Sequence, residues 1–313
     1  MVDVLVLWTA LVTSSLLSLL TIGLTLTYLT TRVPNFAHGS FASVGIYAGF
    51  VTAQIWGLNM YLGLVPGFLI GGLVALGQYL LFLRPMTRRN ASVTTLMVAT
   101  IAFDILLIAI LNIFADYLQK TFLVNSRYFF LSSNDFTIFG LRGIIVVAPL
   151  MVIGVVIGLY LLLNKTKFGI AMRATIENPP LAGTIGINTN LVYIVSWFIA
   201  GGLAGMAGSV VSLWYIGNTD VGSNFFLISI FAAGVIGGIY NIYGAVIGAF
   251  IVGTVQSFLI SALASSFGAW IIPYQPLIPL IAMVVTLLIA PNGIMGINYK
   301  ALKKKLWRKS DAS

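Results

Sequence analysis

The chain has 313 residues, of which 59% are hydrophobic and only 7% charged, whereas a soluble globular domain carries roughly 25% charged residues. That composition excludes an ordinary water-soluble protein. The absence of cysteine removes disulfide frameworks, Cys-based zinc sites and thiol nucleophiles together. The net charge of +9 would suggest nucleic acid in a soluble protein, but six of the sixteen Lys/Arg lie in Lys300 to Ser313. A basic membrane-proximal tail beside anionic lipid is the simpler reading, and nucleic acid is not expected as a partner.

Several apolar runs exceed the ~18 residues that mark a membrane-spanning helix, and the run from Val4 to Thr30 is almost unbroken. Outer-membrane barrels show only short alternating segments, so the expected fold class is an all-α polytopic membrane protein. In chain order the spans read 4–30, 36–56, 61–83, 93–114, 144–163, 191–215, 225–239, 244–266 and 277–296. About eight or nine transmembrane helices are therefore expected, some broken or re-entrant, with the seventh short. Residues 1–299 form the membrane domain and residues 300–313 the basic cytoplasmic tail. Only Asp3 precedes the first apolar run, so a cleaved signal peptide is not expected.

Lys/Arg accumulate in cytoplasmic loops. Placing Arg32, Arg84 to Arg89, Lys165 to Arg173 and the tail inside gives thirteen basic residues inside against three (Lys120, Arg127, Arg142) outside. The N-terminus is then outside, the C-terminus cytoplasmic, and the setting a plasma membrane. The outer segment 115–143 also holds Asp116 and Asp135 and should fold over the outer mouth.

Glycine totals 32 residues, many spaced by four, as in Gly45/Gly49, Gly201/Gly205 and Gly244/Gly248. Small residues at that spacing let helices approach closely where lipid gives no hydrophobic drive. Two regions, Pro34 to Gly49 and Gly234 to Gly248, add polar or proline residues. At an offset of 190 they align Phe36/Phe226, Phe41/Phe231, Ala42/Ala232 and Ile46/Ile236. Matched glycine-interrupted segments in two halves point to an internal repeat and a transport site.

Three polar clusters stand out. In Pro34-Asn35-Phe36-Ala37-His38-Gly39-Ser40, Pro34 suits a first helical turn, and Asn35 and His38 would then share a face. The solitary His38 cannot build a multi-histidine metal site, so no metal is expected. In the 27-residue inner loop Asn164 to Asn190, Asn178 before Pro179 is a capped helix start and Gly186 a stop. That predicts a short cytoplasmic coupling helix, with Glu177, the only glutamate of the chain, beside its positive end. The third cluster joins Gly237-Gly238-Ile239-Tyr240-Asn241-Ile242-Tyr243-Gly244 to Pro291-Asn292-Gly293-Ile294-Met295-Gly296. Both segments should be broken helices, which at membrane depth must be buried in protein or line a cavity.

Asn35-Phe36-Ala37-His38-Gly39, the stretch from Arg173 to Asn188, Gly237-Gly238 to Gly244-Ala245 and Pro291 to Gly296 together resemble the permease subunits of branched-chain amino acid ABC transporters. The likeness is strongest to the shorter of that system's two permeases. The chain departs from the pattern at Ser40, where an acidic residue is common, and at Tyr240 and Tyr243, where glycine and proline are usual. The resemblance implies one pore-forming half of an importer of branched-chain amino acids or related small amides. Its partners would be a second permease subunit, two ATP-binding subunits, an extracytoplasmic solute-binding protein and membrane lipid.

The resemblance also assigns roles. Asn35, Phe36, His38, Gly39, Gly237, Gly238, Asn241 and Gly244 become pathway or gate candidates. Arg173, Glu177, Asn178, Pro179, Ala182, Gly183 and Gly186 become the ATPase-coupling loop, with Ala182 and Gly183 packed in the partner's groove. No GxxxxGK[ST] loop is present, so ATP would be hydrolysed in the partners. Neither catalytic residue nor cofactor is expected in this chain. The alternative reading is an ion-coupled secondary transporter or channel, which normally exposes intramembrane carboxylates. Only Asp104 lies well inside an expected span.

Overall fold

The computed structural model describes residues 4–138 and 140–296, so the basic tail at 300–313 lies outside the described residues. The elements are α1 (Val4–Thr31), α2 (His38–Phe50, continued by a π-helical turn Val51–Ile55), α3 (Leu64–Gln78, led by a 3₁₀ turn Met60–Gly63 and followed by a π turn Tyr79–Leu83), α4 (Arg84–Arg88) and α5 (Val93–Phe122). A two-stranded hairpin, β1 (Thr137–Ile138) with β2 (Leu141–Arg142), precedes α6 (Gly143–Lys165), α7 (Lys167–Glu177), α8 (Pro179–Thr184) and α9 (Thr189–Ser209). After a π turn Gly222–Phe226 come α10 (Leu227–Gly237), α11 (Ile242–Phe267) and α12 (Leu277–Ile289).

The protein is a multi-pass, all-α membrane protein. Each of the nine apolar segments read from the sequence is helical, and among the described residues seven helices are long and apolar enough to cross a membrane. The two short ones are α2 and the 222–237 helix. Both start inside the bundle. The His38 ring donates Nε2–H to the carbonyl of Leu20, midway along α1, at 2.9 Å. Gly39 and Gly222, at the two helix starts, touch backbone to backbone, and an added Cβ on Gly222 would collide with the Gly39 carbonyl.

This meeting point relates two halves of the chain. Asn35-x-x-x-Gly39-Ser40 and Asn218-x-x-x-Gly222-Ser223 are the same motif at a separation of 183 residues. This motif gives a register of 183 in place of the 190 expected from the sequence, and Phe36 packs beside Phe231, with ring centroids 5.1 Å apart. In both halves a side-chain Asn oxygen caps the re-entrant turn: Asn35 Oδ1 accepts from Ala37 N, and Asn218 Oδ1 from Asp220 N and Val221 N. A second pair follows, since Asn59 accepts from Tyr61 N and Asn241 from Tyr243 N.

Packing is reciprocal in the same sense. Helix α9 lies antiparallel to α3 through Gly205 against Gly67 and Gly201 against Gly71. Its counterpart α1 lies against α11 through Ser14 and Gly253, with Ser14 Oγ 3.3 Å from Thr254 Oγ1. Helices α1 and α9 run in opposite senses, since Thr13 bonds Tyr215 just beyond α9 while Gly23 abuts Ala200 within it. The halves are therefore an inverted repeat, and α6 to α8 form the connector between them.

Helices α1 and α9 are the most enclosed long helices, with 67% and 72% of their apolar windows buried, whereas α12 has 11%. Their serines and threonines do not weaken them, because hydroxyls such as Ser18, Thr21 and Thr30 bond back to carbonyls three or four residues earlier. Segment 123–142 folds back over the end of the bundle that carries Arg127. There Tyr47 donates to Ser126 O at 2.8 Å, Tyr61 to Asp135 Oδ1 at 2.7 Å, and Phe129 pairs with Gly217.

Candidate functional site

The sequence places a helix start at Pro34, but the observed helix begins at His38, after an irregular lead-in. Asn35 consequently shares no helix face with His38. Its Oδ1 accepts from Ala37 N at 3.2 Å and from Gln78 Nε2 at 3.1 Å, and these bonds hold the lead-in turned back into the bundle. Phe36 N donates to Thr100 Oγ1 at 3.1 Å, fastening the same segment to α5. Asn35, His38 and Gly39 are fully buried, so these residues sit at the crossing of the short helices rather than at an open mouth.

The second half of the glycine cluster is a genuine helix break. Gly238 ends α10 with φ +104° and ψ 102°, a backbone state that L side chains rarely adopt. Asn241, three residues on, starts α11 by accepting from Tyr243 N at 2.9 Å and Gly244 N at 3.2 Å. Gly237 and Gly244 face each other across the break so closely that a Cβ on either meets the other's carbonyl. The Pro291 to Gly296 turn closes the arrangement, since Gly293 abuts the Gly238 backbone and Met295 lies against Gly244. The two motifs that the sequence leaves far apart are thus one packed unit.

The coupling loop contains two helices rather than one. Thr166 caps α7 by accepting from Gly169 N at 3.2 Å, a second helix start in addition to the expected one at Asn178. Helix α8 begins as expected, with Asn178 Oδ1 accepting from Leu181 N at 3.1 Å and Pro179 at its first position. Gly186 follows it with φ +87°. Ala182, expected in a partner's groove, is instead buried within this chain. The outward side carries Gly183, with nothing within 4 Å of an added Cβ, and the exposed Leu181 (59%) and Ile185 (68%). Arg173 donates to Leu163 O at 2.5 Å, while Glu177 is exposed.

Helix α7 and the glycine break are joined. Arg32 donates to Ile176 O at 3.3 Å and lies 5.1 Å above the Tyr240 ring, while the hydroxyls of Tyr28 and Tyr240 are 3.4 Å apart. A cavity of about 330 Å³ lies between them, lined by Leu29, Met172, Arg173, Glu177, Tyr240 and Tyr243 among others. Tyr240 is one of the positions at which the chain departs from the family pattern, and here the bulkier side chain supplies the contact surface for Arg32.

A third cluster was not assembled from the sequence. Asp104 Oδ1 on α5 accepts from Ser40 Oγ at 2.5 Å and Ser223 Oγ at 2.8 Å, and the two serines are 2.8 Å apart. Its residues come from three separate segments, so no local spacing could announce it. Among the described residues no group of three or more His, Cys, Asp or Glu could hold a metal ion.

A family profile described as "Branched-chain amino acid transport system / permease component" matches residues 6–290. The chain is 44% identical over 297 residues to the probable branched-chain amino acid transport permease protein LivH of Methanocaldococcus jannaschii, covering 95% of this chain and 94% of that protein. It is 26% identical to the high-affinity branched-chain amino acid transport system permease protein BraD of Pseudomonas aeruginosa, over 89% of this chain and 91% of the relative. The solved structure of PsaBC from Streptococcus pneumoniae in complex with Fab shares the fold, with a TM-score of 0.51 at 14% identity over 93% of this chain and 94% of the other. The helix break, the capped loop helix and the match along nearly the whole chain thus lead to one conclusion: this chain belongs to the family of permease components of branched-chain amino acid transport systems.

Proposed function

We propose that the chain is one pore-forming half of an ATP-driven importer that carries branched-chain aliphatic amino acids across the plasma membrane. The Arg127 end faces outward toward a solute-binding protein. The end with Arg84, Arg88, Lys165 and Arg173 faces the cytoplasm, in keeping with the concentration of positive charge there. A second permease completes the pore, and two ATP-binding subunits dock on the cytoplasmic side, where Leu181, Gly183 and Ile185 of α8 offer a small apolar surface.

The observation that carries this reading is the physical link from the loop to the helix break. Arg32 holds the end of α7 through Ile176 O and holds Tyr240 through its ring. Displacement of α7 and α8 by a partner would therefore pull on the segment between Gly238 and Asn241. Energy released outside this chain would reach the pathway candidates Gly237, Gly238, Asn241 and Gly244, and across α10 the residues Asn35, Phe36, His38 and Gly39. Alternating access is the corresponding rigid-element motion.

The test is the complex of this chain with its partner subunits in proteoliposomes. ATP inside and binding protein outside should drive accumulation of L-leucine. Gly183→Trp meets open space in this chain, so it should leave the fold of this subunit intact while uncoupling ATP hydrolysis from uptake. Wild-type uptake by Gly183→Trp would remove α8 as the coupling contact. Uptake driven by an ion gradient without ATP would overturn the importer class.

A further inference from the structure

Asp104 lies near the middle of α5, and the ion pair found among the described residues joins Arg127 to Asp116, leaving Asp104 without a cation. Both serine hydroxyls are directed to Oδ1. Among the described residues no donor is bonded to Oδ2. The residue is only partly buried, and its neighbours Ile105 and Leu106 are 64% and 47% exposed. A carboxylate at the centre of a membrane span is not left facing hydrocarbon; such groups face a bundle interior or a water-filled cavity. The Asp104 side of α5 is on that ground turned to the bundle interior or to water rather than to lipid.

Three separate clusters of polar side chains follow one another from the Arg127 end toward it. At the C-terminal end of α5, Asp116 takes Arg127, whose Nη1 also donates to Asn112 Oδ1 at 3.0 Å. Asn112 Oδ1 accepts from Thr219 Oγ1 at 3.2 Å, in the lead-in to the 222–237 helix. Asp220 and Asn224 follow, bonded to one another at 2.6 Å, and then Ser223, Ser40 and Asp104. One step further on, Thr100 holds Phe36 N, where the Phe36 and Phe231 rings pack together and the polar lane ends. Arg127 offsets one of three carboxylates along it, so the lane is negative overall.

We propose that Asp104, with Ser40 and Ser223, is a binding site for the ammonium group of the transported amino acid, reached along this lane from the Arg127 end. Asp104 Oδ2 supplies the acceptor and the two serines fix the carboxylate. The assignment rests on the proposed cargo, but the existence of the lane does not.

The chain's lack of cysteine makes the experiment direct. Ser223→Cys and Ile105→Cys are introduced singly into the reconstituted complex and treated from the Arg127 side with a trimethylammonium methanethiosulfonate. Only a hydrated thiol ionises and reacts, so Ser223→Cys should react far faster than Ile105→Cys, and L-leucine presented with binding protein should slow it. Equal rates would overturn the lane. Truncating one partner of a hydrogen-bonded charge pair weakens binding strongly, so Asp104→Asn should lower the L-leucine uptake rate at least about tenfold, with unchanged dependence on binding-protein concentration and with Asp104→Glu retaining more activity. Uptake by Asp104→Asn within twofold of wild type would overturn the ammonium role, as would equal loss in Asp104→Glu. Where Asp104→Asn fails to assemble, Asp104→Glu and Ser223→Cys decide the question. Failure of the wild-type complex to take up L-leucine would instead refute the proposed cargo.

Discussion

Two glycines of α10, Gly234 and Gly237, separate the consequences of packing from those of helix propensity. Both are buried in the same helix. A Cβ at Gly234 would find Thr21 Cγ2 at 3.8 Å, an ordinary contact, whereas a Cβ at Gly237 would run into the Gly244 carbonyl. Gly234→Ala should therefore stabilise, by up to about 1 kcal/mol from the glycine-to-alanine difference in a helix. Gly237→Ala gains the same propensity but forces two backbones apart, and overpacking of that kind costs about 1–3 kcal/mol. The colliding atom is a carbonyl rather than the free end of a side chain, so the cost belongs at the upper end. The propensity gain is common to both variants and cancels, so they should differ by the overpacking cost, roughly 1–3 kcal/mol and toward the upper end. Thermal unfolding of the detergent-purified complex reads this as a higher midpoint for Gly234→Ala and a lower one for Gly237→Ala. A midpoint for Gly237→Ala at or above that of Gly234→Ala would refute the close approach of α10 to α11.

Three further substitutions test the neighbouring links. Asn178→Ala removes the cap of α8 and should cost about 1 kcal/mol of local helix stability, read as faster amide exchange over 179–184 and a lower ratio of uptake to ATP hydrolysis. Tyr240→Phe keeps the ring beneath Arg32 and should preserve coupling, while Tyr240→Ala should lose it; equal behaviour of the two would show that the ring contact carries nothing. Asp116→Asn breaks a surface ion pair with Arg127, both side chains being nearly half exposed (44% and 46%). Such pairs contribute about 0–1 kcal/mol, so the thermal midpoint should hardly move, and a fall of many degrees would show that Arg127 is structurally required.

What was legible in the sequence was what local chemistry dictates. The apolar runs gave the helices, since a span must satisfy its own backbone inside lipid. Asn178-Pro179 gave the start of α8, and Gly237 to Gly244 gave the break, because caps and glycine act within a few residues. The Thr166 cap of α7 is equally local. The misplacement of the α2 start has a different origin: Pro34 fits a first turn, but Gln78 and Thr100, from two distant helices, hold Asn35 and Phe36 out of helical geometry. The Asp104 cluster and the 183-residue register of the repeat depend on the same long-range meeting of Gly39 with Gly222. Four coincident apolar residues suggested another register because apolar identities are common in membrane helices, whereas the Asn and Gly-Ser positions are set by the turn they make.

The inverted repeat is not symmetric in exposure, and this asymmetry bears on which half moves. The lead-in to α2 is sealed: Asn35, His38, Gly39 and Ser40 are buried, and Phe36 is pinned to α5. The lead-in to α10 is open, with Asn218, Asp220 and Ser223 partly accessible and Asn224 exposed. Regions with few buried contacts open at lower free-energy cost than enclosed ones, so displacement is easier on the α10 side. Helix α10 begins beside Asp104 and ends at Gly238, whose following residues touch Arg32 and hence α7. A single shift of this short helix therefore changes the intramembrane carboxylate site at one end and the loop contact at the other. A full-length span in its place would have its ends at the two membrane surfaces, and no end of it could meet Asp104. The half-length helix is thus what allows one rigid element to connect a site inside the bundle with a surface where a partner can push.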